Sequence, residues 1–291
     1  FLSSMISRTI GAPLDRLKML YQVNYVGNKD TPSIRKGLAD IYKKDGFKGF
    51  FKGNLINILK SAPENGIKLY IFELSKWKFQ CCYGEKLSNS QLFLSGSISG
   101  IISVMTIFPL EVLKLRIATA EKGVYNGYFD AVRKIYKEPK GILNFYSGIE
   151  ASIISVIPNA GLNLTVYEIL KIYFSGKRTI DNGSFLSTST LMFIGGLSAL
   201  ISSTVLYPFQ IVQARMIMYN LKQKYYDYSN INNKYFSKFK FTKCIYSTYT
   251  KEGFKGFFKG YVPGISKIVL GNSLNFAIYE NIKKILKVNH S

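Results

Sequence analysis

Histidine is nearly absent from this chain, and acidic side chains are scarce. The one histidine, His290, falls among the last residues, no place for a general base. Three cysteines, Cys81, Cys82 and Cys244, make neither a disulfide framework nor a metal-ligand pattern. There is no glycine-rich phosphate loop, no Ser/His/Asp order and no EF-hand run. These absences argue against an enzyme and against a bound metal or cofactor. No cleavable signal is visible. The chain opens at Phe1-Leu2-Ser3-Ser4, without methionine and in mid-pattern. That opening reads as a trimmed N-terminus that has lost part of a first helix.

What is present is basic and apolar. Only 17 Asp and Glu stand against 39 Lys and Arg, a formal charge of +22. An excess of that size points to a polyanionic partner: nucleic acid, anionic lipid or a phosphorylated solute. Hydrophobic residues make up 47% and aromatics 15%, enough for a core or a membrane belt. The length of 291 residues allows one large domain or two ordinary ones.

Internal repeats decide between these. Pro13-Leu14-Asp15-Arg16-Leu17-Lys18 returns 96 residues later as Pro109-Leu110-Glu111-Val112-Leu113-Lys114. It returns again after 99 more, degraded, as Pro208-Phe209-Gln210-Ile211-Val212-Gln213. A second motif, Asp45-Gly46-Phe47-Lys48-Gly49-Phe50-Phe51-Lys52-Gly53, is repeated as Glu252 through Gly260, with a weakened middle copy at Lys140 to Gly148. A third motif closes each unit: Phe72-Glu73 with Lys76, Tyr167-Glu168 with Lys171, and Tyr279-Glu280 with Lys283. The units run 1–86, 87–178 and 179–291.

Each unit carries two apolar stretches of membrane-spanning length, about 20 residues or more. They run roughly 1–18, 54–75, 91–116, 149–171, 188–216 and 262–283. Polar interruptions fit helices with one face on water. Pro13, Pro109 and Pro208 lie inside the odd-numbered stretches and should kink them. Gly96 with Gly100, and Gly195 with Ala199, permit close helix approach. Segments Ser33–Lys44 and Tyr128–Lys137 read as amphipathic surface helices. Segment 219–243 reads as a mobile insertion without a site. The loops within repeats carry 21 Lys and Arg, against 9 in the other loops and the C-terminal tail, which sets the side they face.

Three motifs in one order, three times over, resemble the mitochondrial carrier family across essentially the whole chain. The resemblance implies an all-α membrane protein of the mitochondrial inner membrane. It would have six transmembrane helices in three tandem two-helix repeats, with pseudo-threefold symmetry and short matrix-side amphipathic helices. It also implies a monomer that moves a solute by alternating access.

The resemblance further implies two gates. On the matrix side, Asp15 would meet Lys114, Glu111 would meet Gln213, and Gln210 would meet Lys18, with Gln22 as a brace. One ion pair would survive there. The other contacts would be hydrogen bonds to a charged group, worth about 1.5–3 kcal/mol each. On the cytoplasmic side, Glu73, Glu168 and Glu280 would pair with Lys171, Lys283 and Lys76, beside Phe72, Tyr167 and Tyr279. On this count the matrix gate is the weaker, and the resting carrier leans away from the state it closes.

Helical spacing groups Asn57, Lys60 and Glu64 on one face, Ser155, Asn159 and Asn163 on another, and Gly264, Lys267 and Gly271 on a third, with Asn275 beyond. Lys60 and Lys267 show no evident acidic partner, which favours an anion near the midplane. The rival reading is that each lysine snorkels or pairs structurally. By resemblance, Lys60, the pair Ser155-Val156, and Lys267 are the solute contacts. Ser155-Val156 is a near match to the small-then-aliphatic pair of adenine-nucleotide carriers. The stretch Gly53 to Glu64 looks like the ATP-Mg/phosphate carriers, whereas Val156 to Asn163 fits that branch and the coenzyme A carriers equally. Asn159 replaces the tyrosine usual there. Gly53, Gly148 and Gly260 open the even helices and leave N–H groups free for an anion. The family binds cardiolipin there as a structural lipid, with Lys52 and Lys259 nearby. The expected partners are therefore an anionic phosphorylated solute and membrane lipid, not nucleic acid. Rival readings are a coenzyme A or related carrier, a carrier-like scaffold without transport, and a soluble basic nucleic-acid-binding protein.

Overall fold

The computed structural model describes residues 2–24, 32–84, 88–175, 188–222 and 240–285. The helices are α1 (Leu2–Ile10), α2 (Ala12–Asn24), α3 (Ile34–Asp45), α4 (Asn54–Tyr83), α5 (Asn89–Thr119) and α6 (Tyr128–Tyr136). They continue as α7 (Ile149–Ser175), α8 (Thr188–Val205), α9 (Tyr207–Lys222), α10 (Lys240–Glu252) and α11 (Tyr261–Ile285). Short 3₁₀ turns at Phe47–Phe51, Gly141–Tyr146 and Phe254–Phe258 join α3, α6 and α10 to the even helices. No strand occurs among the described residues. Most of the 219–243 insertion lies outside them.

Among the described residues, membrane-length helical stretches number six: α1 with α2, α4, α5, α7, α8 with α9, and α11. At about 1.5 Å per residue, each exceeds the roughly 30 Å hydrocarbon core. Apolarity alone marks only Ser90–Thr119, Gly141–Asn159 and the bent pair Phe193–Val205 with Tyr207–Met218 as spans. The remaining stretches carry lysines, acids and asparagines, which is why composition under-reports them.

The prolines act unequally. The first odd helix breaks at Gly11, two residues before Pro13, and the third breaks at Leu206, two residues before Pro208, with a bend of 60°. Helix α5 runs through Pro109 without interruption. At each break a threonine four residues before the proline turns its hydroxyl back onto the helix: Thr9 to Met5 O and Thr204 to Leu200 O, both 2.8 Å. Such back-bonding adds to the bend.

Beyond the bends the three odd helices converge on one apolar plug. Met19 and Val23 of α2, Phe108, Val112, Leu115 and Ala118 of α5, and Ala214, Ile217 and Met218 of α9 form a single buried cluster. Met19, Leu115 and Ala214 are equivalent by the repeat offsets, so a pseudo-threefold axis runs through this plug.

Each even helix docks on the next repeat. Ile56 of α4 packs with Leu113 of α5 and Ile135 of α6. Ala151 of α7 packs with Val212 of α9 and Cys244 of α10. The ring closes where Ser7 of α1 donates to Gly271 O of α11 at 3.1 Å. Gly53, Gly148 and Gly260 have φ of +83°, +91° and +79°, which side-chain-bearing residues avoid. A Cβ at Gly53 would meet Lys114 O at 3.1 Å, at Gly148 the Ile217 N at 3.1 Å, and at Gly260 the Lys18 O at 3.0 Å. Each glycine therefore lets an even helix start against the backbone of the next odd helix.

Candidate solute site and gate

Arginines tie the surface helices to this ring. Arg16 pairs with Asp45 and donates to Ala118 O on the neighbouring α5 at 3.0 Å. Arg215 binds Glu252 at 2.9 Å and Gln22 O on α2 at 3.2 Å. Arg116 binds Glu138. Lys52 joins Asp45 at 2.7 Å, and Lys259 joins Glu252 at 3.0 Å. Lys259 is only 5% exposed, so its ammonium serves Glu252 inside the fold. The expectation that it lies ready for a lipid phosphate is corrected accordingly, because a buried glutamate claims the charge. Outside the spans, burial alone would raise the Asp45 carboxyl. Hydrogen bonds from Lys52 and Arg16 outweigh burial and hold it below its ordinary value.

Just short of the apolar plug the kink motifs meet. Lys114 Nζ lies 2.9 Å from Asp15 Oδ2. Lys18 donates to Gln210 Oε1 at 2.9 Å, and its ammonium sits 5.5 Å over the Tyr207 ring. Gln22 donates to the Tyr207 hydroxyl at 3.2 Å, and that hydroxyl donates to Lys259 O at 3.1 Å. Tyr207 thus stands where an acid and base are missing from the third motif.

Three expectations are corrected here. Glu111 does not bond Gln213; its Oε2 lies 2.6 Å from Lys60 Nζ, because a full cation outcompetes an amide for a carboxylate. Lys60 also reaches Glu64 at 3.3 Å, and Lys267 Nζ lies 2.5 Å from Asp15 Oδ1, so neither lysine lacks an acid. The kink-motif network consequently holds three ion pairs across helices rather than one.

The even-helix positions are distributed as follows. The Lys60 side chain is 11% exposed and that of Lys267 28%. Asn57 is 2% exposed and accepts from Arg8 Nη1 at 3.1 Å. Asn57 therefore braces α1 against α4 and does not line open space, a correction that follows from its burial. Ser155 is half-buried and turns its hydroxyl to Ser152 O at 2.8 Å. Val156 packs towards α5, its Cγ1 2.7 Å from where a Cβ on Gly100 would sit, which is why Gly100 has none. That methyl is committed to helix packing, so the room expected beside Val156 for a purine is reduced. Asn159 is exposed. The Asn163 side chain lies outside the described residues. Sequence reasoning missed Arg8, a third cation on this face. A lone arginine within an apolar stretch was the available signal, since such charges are costly in a bilayer.

At the opposite end the arrangement is local. Lys76 bonds Glu73 of its own helix at 3.2 Å and lies 5.3 Å from the Phe72 ring centroid. Glu73 therefore pairs within its own turn and not with Lys171, which is exposed; the i,i+3 partner is simply nearer. Tyr167 is half-buried. The side chains of Glu168, Tyr279, Glu280 and Lys283 lie outside the described residues. Among the described residues, then, one end is closed by inter-repeat ion pairs and the other has none.

Three repeats, each of two membrane-length helical stretches, thus form a ring whose kink motifs meet in inter-repeat ion pairs. The family profile described as mitochondrial carrier protein matches residues 1–81, 85–178 and 184–290. The chain belongs to the mitochondrial carrier protein family. It is 38% identical over 291 residues to mitochondrial substrate carrier family protein C of Dictyostelium discoideum, covering 97% of this chain and 56% of that protein. It is 32% identical over 291 residues to the human mitochondrial adenyl nucleotide antiporter SLC25A24, covering 99% and 57%. It is 32% identical over 286 residues to the calcium-binding mitochondrial carrier protein SCaMC-2-A of Danio rerio, covering 97% and 57%. The chain spans about half the length of the curated relatives it matches.

Proposed function

We propose that this chain exchanges adenine-nucleotide-type phosphorylated anions, such as ATP-Mg, ADP and phosphate, across the mitochondrial inner membrane by alternating access. It works there as a multi-pass monomer and not as an enzyme. The observation that carries this reading is the convergence of Lys60 and Lys267, from α4 and α11, beside Asp15, Glu111 and Lys114. Relatives named as adenyl nucleotide antiporters support the nucleotide class.

In this mechanism the phosphates engage Lys60 and Lys267 from the open side. Arg8, held by Asn57, adds a third charge. Ser155, Asn159 and Asn163 on α7 contact the rest of the solute. The matrix gate of Asp15, Lys18, Gln22, Glu111, Lys114, Gln210 and Gln213 then opens as the cytoplasmic gate of Phe72, Glu73, Lys76, Tyr167, Glu168, Lys171, Tyr279, Glu280 and Lys283 closes. Binding energy offsets the network being opened, so exchange is favoured over leak. Cardiolipin at the N-termini opened by Gly53, Gly148 and Gly260 would brace the ring, with Lys52 contributing.

A coenzyme A carrier is the second reading, favoured by the stretch Val156 to Asn163. A thermal-shift screen of purified protein against ATP, ADP, phosphate and coenzyme A separates the two. Stabilisation by ATP and ADP supports the first reading. Stabilisation by coenzyme A alone replaces it with the second.

A further inference from the structure

Two buried arginines cross from one repeat to the next, and a third does not. Arg16 Nε donates to Ala118 O on α5 at 3.0 Å. Arg215 Nε donates to Gln22 O on α2 at 3.2 Å. Gln22, Ala118 and Ile217 are equivalent by the repeat offsets, so both bonds end on the same carbonyl position of the following repeat. Each arginine also holds an acid of its own repeat, Arg16 on Asp45 and Arg215 on Glu252. Arg215 and Arg116 are equivalent, whereas Arg16 acts from one helical turn earlier. Arg116 is fully buried, its Nη1 binds Glu138, and the Tyr125 hydroxyl lies beside it. Its Nε and Nη2 find no acceptor, so the carbonyl of Ile217 on α9 takes no bond from it. Leaving buried N–H groups of a cation unpaired is costly, and native folds keep few of them.

The other polar contacts are distributed the same way. Lys114 to Asp15 joins α5 to α2, and Lys18 to Gln210 joins α2 to α9, both at 2.9 Å. Ser103 donates to Glu64 O at 3.0 Å between α5 and α4. Where the second repeat meets α9, the side-chain hydrogen bonds among the described residues are two. Ser147 donates to Met216 O at 3.3 Å, and the Thr119 hydroxyl lies 3.7 Å from Met218 Sδ, a weak acceptor. The rest of that contact is apolar, with Ala151 on Val212 and Met216.

We propose that the junction between the second and third repeats is the compliant seam of the ring. The third, first and second repeats form one arc, braced through α2 by shared guanidinium groups and charged contacts. When the protein changes shape, α9 parts from α5 and α7 first, and the bond that Arg116 does not make permits it. Apolar packing is non-directional and tolerates sliding, whereas a hydrogen bond fixes distance and angle. The purpose of the seam rests on the alternating-access reading; its existence does not.

Hydrogen exchange of the whole chain in detergent, without solute, reads the seam directly. Amides of 149–156 and 212–218 should exchange about tenfold faster than their equivalents at the other two junctions, 54–61 with 113–119 and 261–268 with 17–23. Lysine variants test the cause. Lysine keeps the charge beside the acid and lacks the second nitrogen that crosses to the next repeat. Arg16→Lys and Arg215→Lys should each lower the unfolding temperature, on the order of 5 °C, and speed exchange at their own junctions. Arg116→Lys should lower it by about 1 °C or less, since the nitrogens it removes bond nothing. Equal exchange at the three junctions would overturn the seam. A loss in Arg116→Lys as large as in the other two would also overturn it, by showing that Arg116 does cross to α9. Should a lysine variant fail to fold, exchange in the parent protein decides alone. No readout uses a solute, so fast exchange at the seam in a protein that moves no nucleotide would sink the transport reading and support the seam.

Discussion

Lys60 Nζ lies 2.6 Å from Glu111 Oε2, joining α4 to α5 between residues of different repeats. The contact joins a lysine proposed for the solute site to an acid proposed for the gate. It turns two features that the motifs describe separately into one electrostatic unit, in which Lys114, Asp15 and Lys267 also take part.

The glycines at the repeat junctions make a stability prediction. Gly148→Ala requires a left-handed alanine, costing about 1–2 kcal/mol, and also pushes a Cβ to 3.1 Å from Ile217 N. Gly123→Ala has a similar φ of +90° with nothing within 4 Å. Chemical or thermal unfolding should show Gly148→Ala losing clearly more stability than Gly123→Ala. Equal losses would mean that the junction is looser than described.

Thiol reactivity separates the cysteines. Cys81 and Cys82 are exposed, whereas Cys244 is buried and burial pushes its thiol up to about 11. Near pH 7.5, a maleimide should label Cys81 and Cys82 quickly and leave Cys244 protected until the protein unfolds. Mass spectrometry of timed samples reads the sites directly. Rapid labelling of Cys244 in folded protein would show that α10 does not dock on Ala151, Val212 and Met216 as described.

Acid sensitivity follows from Asp45. Its folded carboxyl is held below the ordinary 3.8 by Lys52 and Arg16 against the effect of burial. The stabilisation is therefore complete above about pH 4 and is lost as pH falls through the lowered value. An Asp45→Asn variant should be less stable at pH 7 than the parent. The gap should narrow in acid, because protonated aspartate loses the same pairing. A gap that is constant from pH 7 to pH 3 would contradict this.

Much of the architecture was legible because it is written three times. The proline motifs, the Gly-Phe-Lys-Gly motif and the closing motifs fix a repeat of two long helices and a surface helix. Helix count was harder to read from apolarity alone, since lysines and asparagines interrupt several spans. Local partners were legible and long-range ones were not. Lys60 and Glu64 share a helix face by spacing, but nothing in spacing says that Lys60 also reaches Glu111. Asn57 misled for a related reason: spacing puts it beside Lys60, while packing turns it onto Arg8.

The lysine pair makes the sharpest functional prediction. Lys60→Ala and Lys267→Ala remove both a solute contact and a gate counter-ion. Each should abolish exchange, and each should also lower stability without solute. A residue that only contacted solute would leave the unliganded protein's stability unchanged.

The most direct test is exchange of labelled ATP by the purified chain reconstituted in cardiolipin-containing liposomes preloaded with ADP, ATP or phosphate. The expected result is uptake that requires internal counter-solute and disappears in both Lys60→Ala and Lys267→Ala. Full uptake by both variants, or no exchange of any phosphorylated anion by the parent protein, would contradict it.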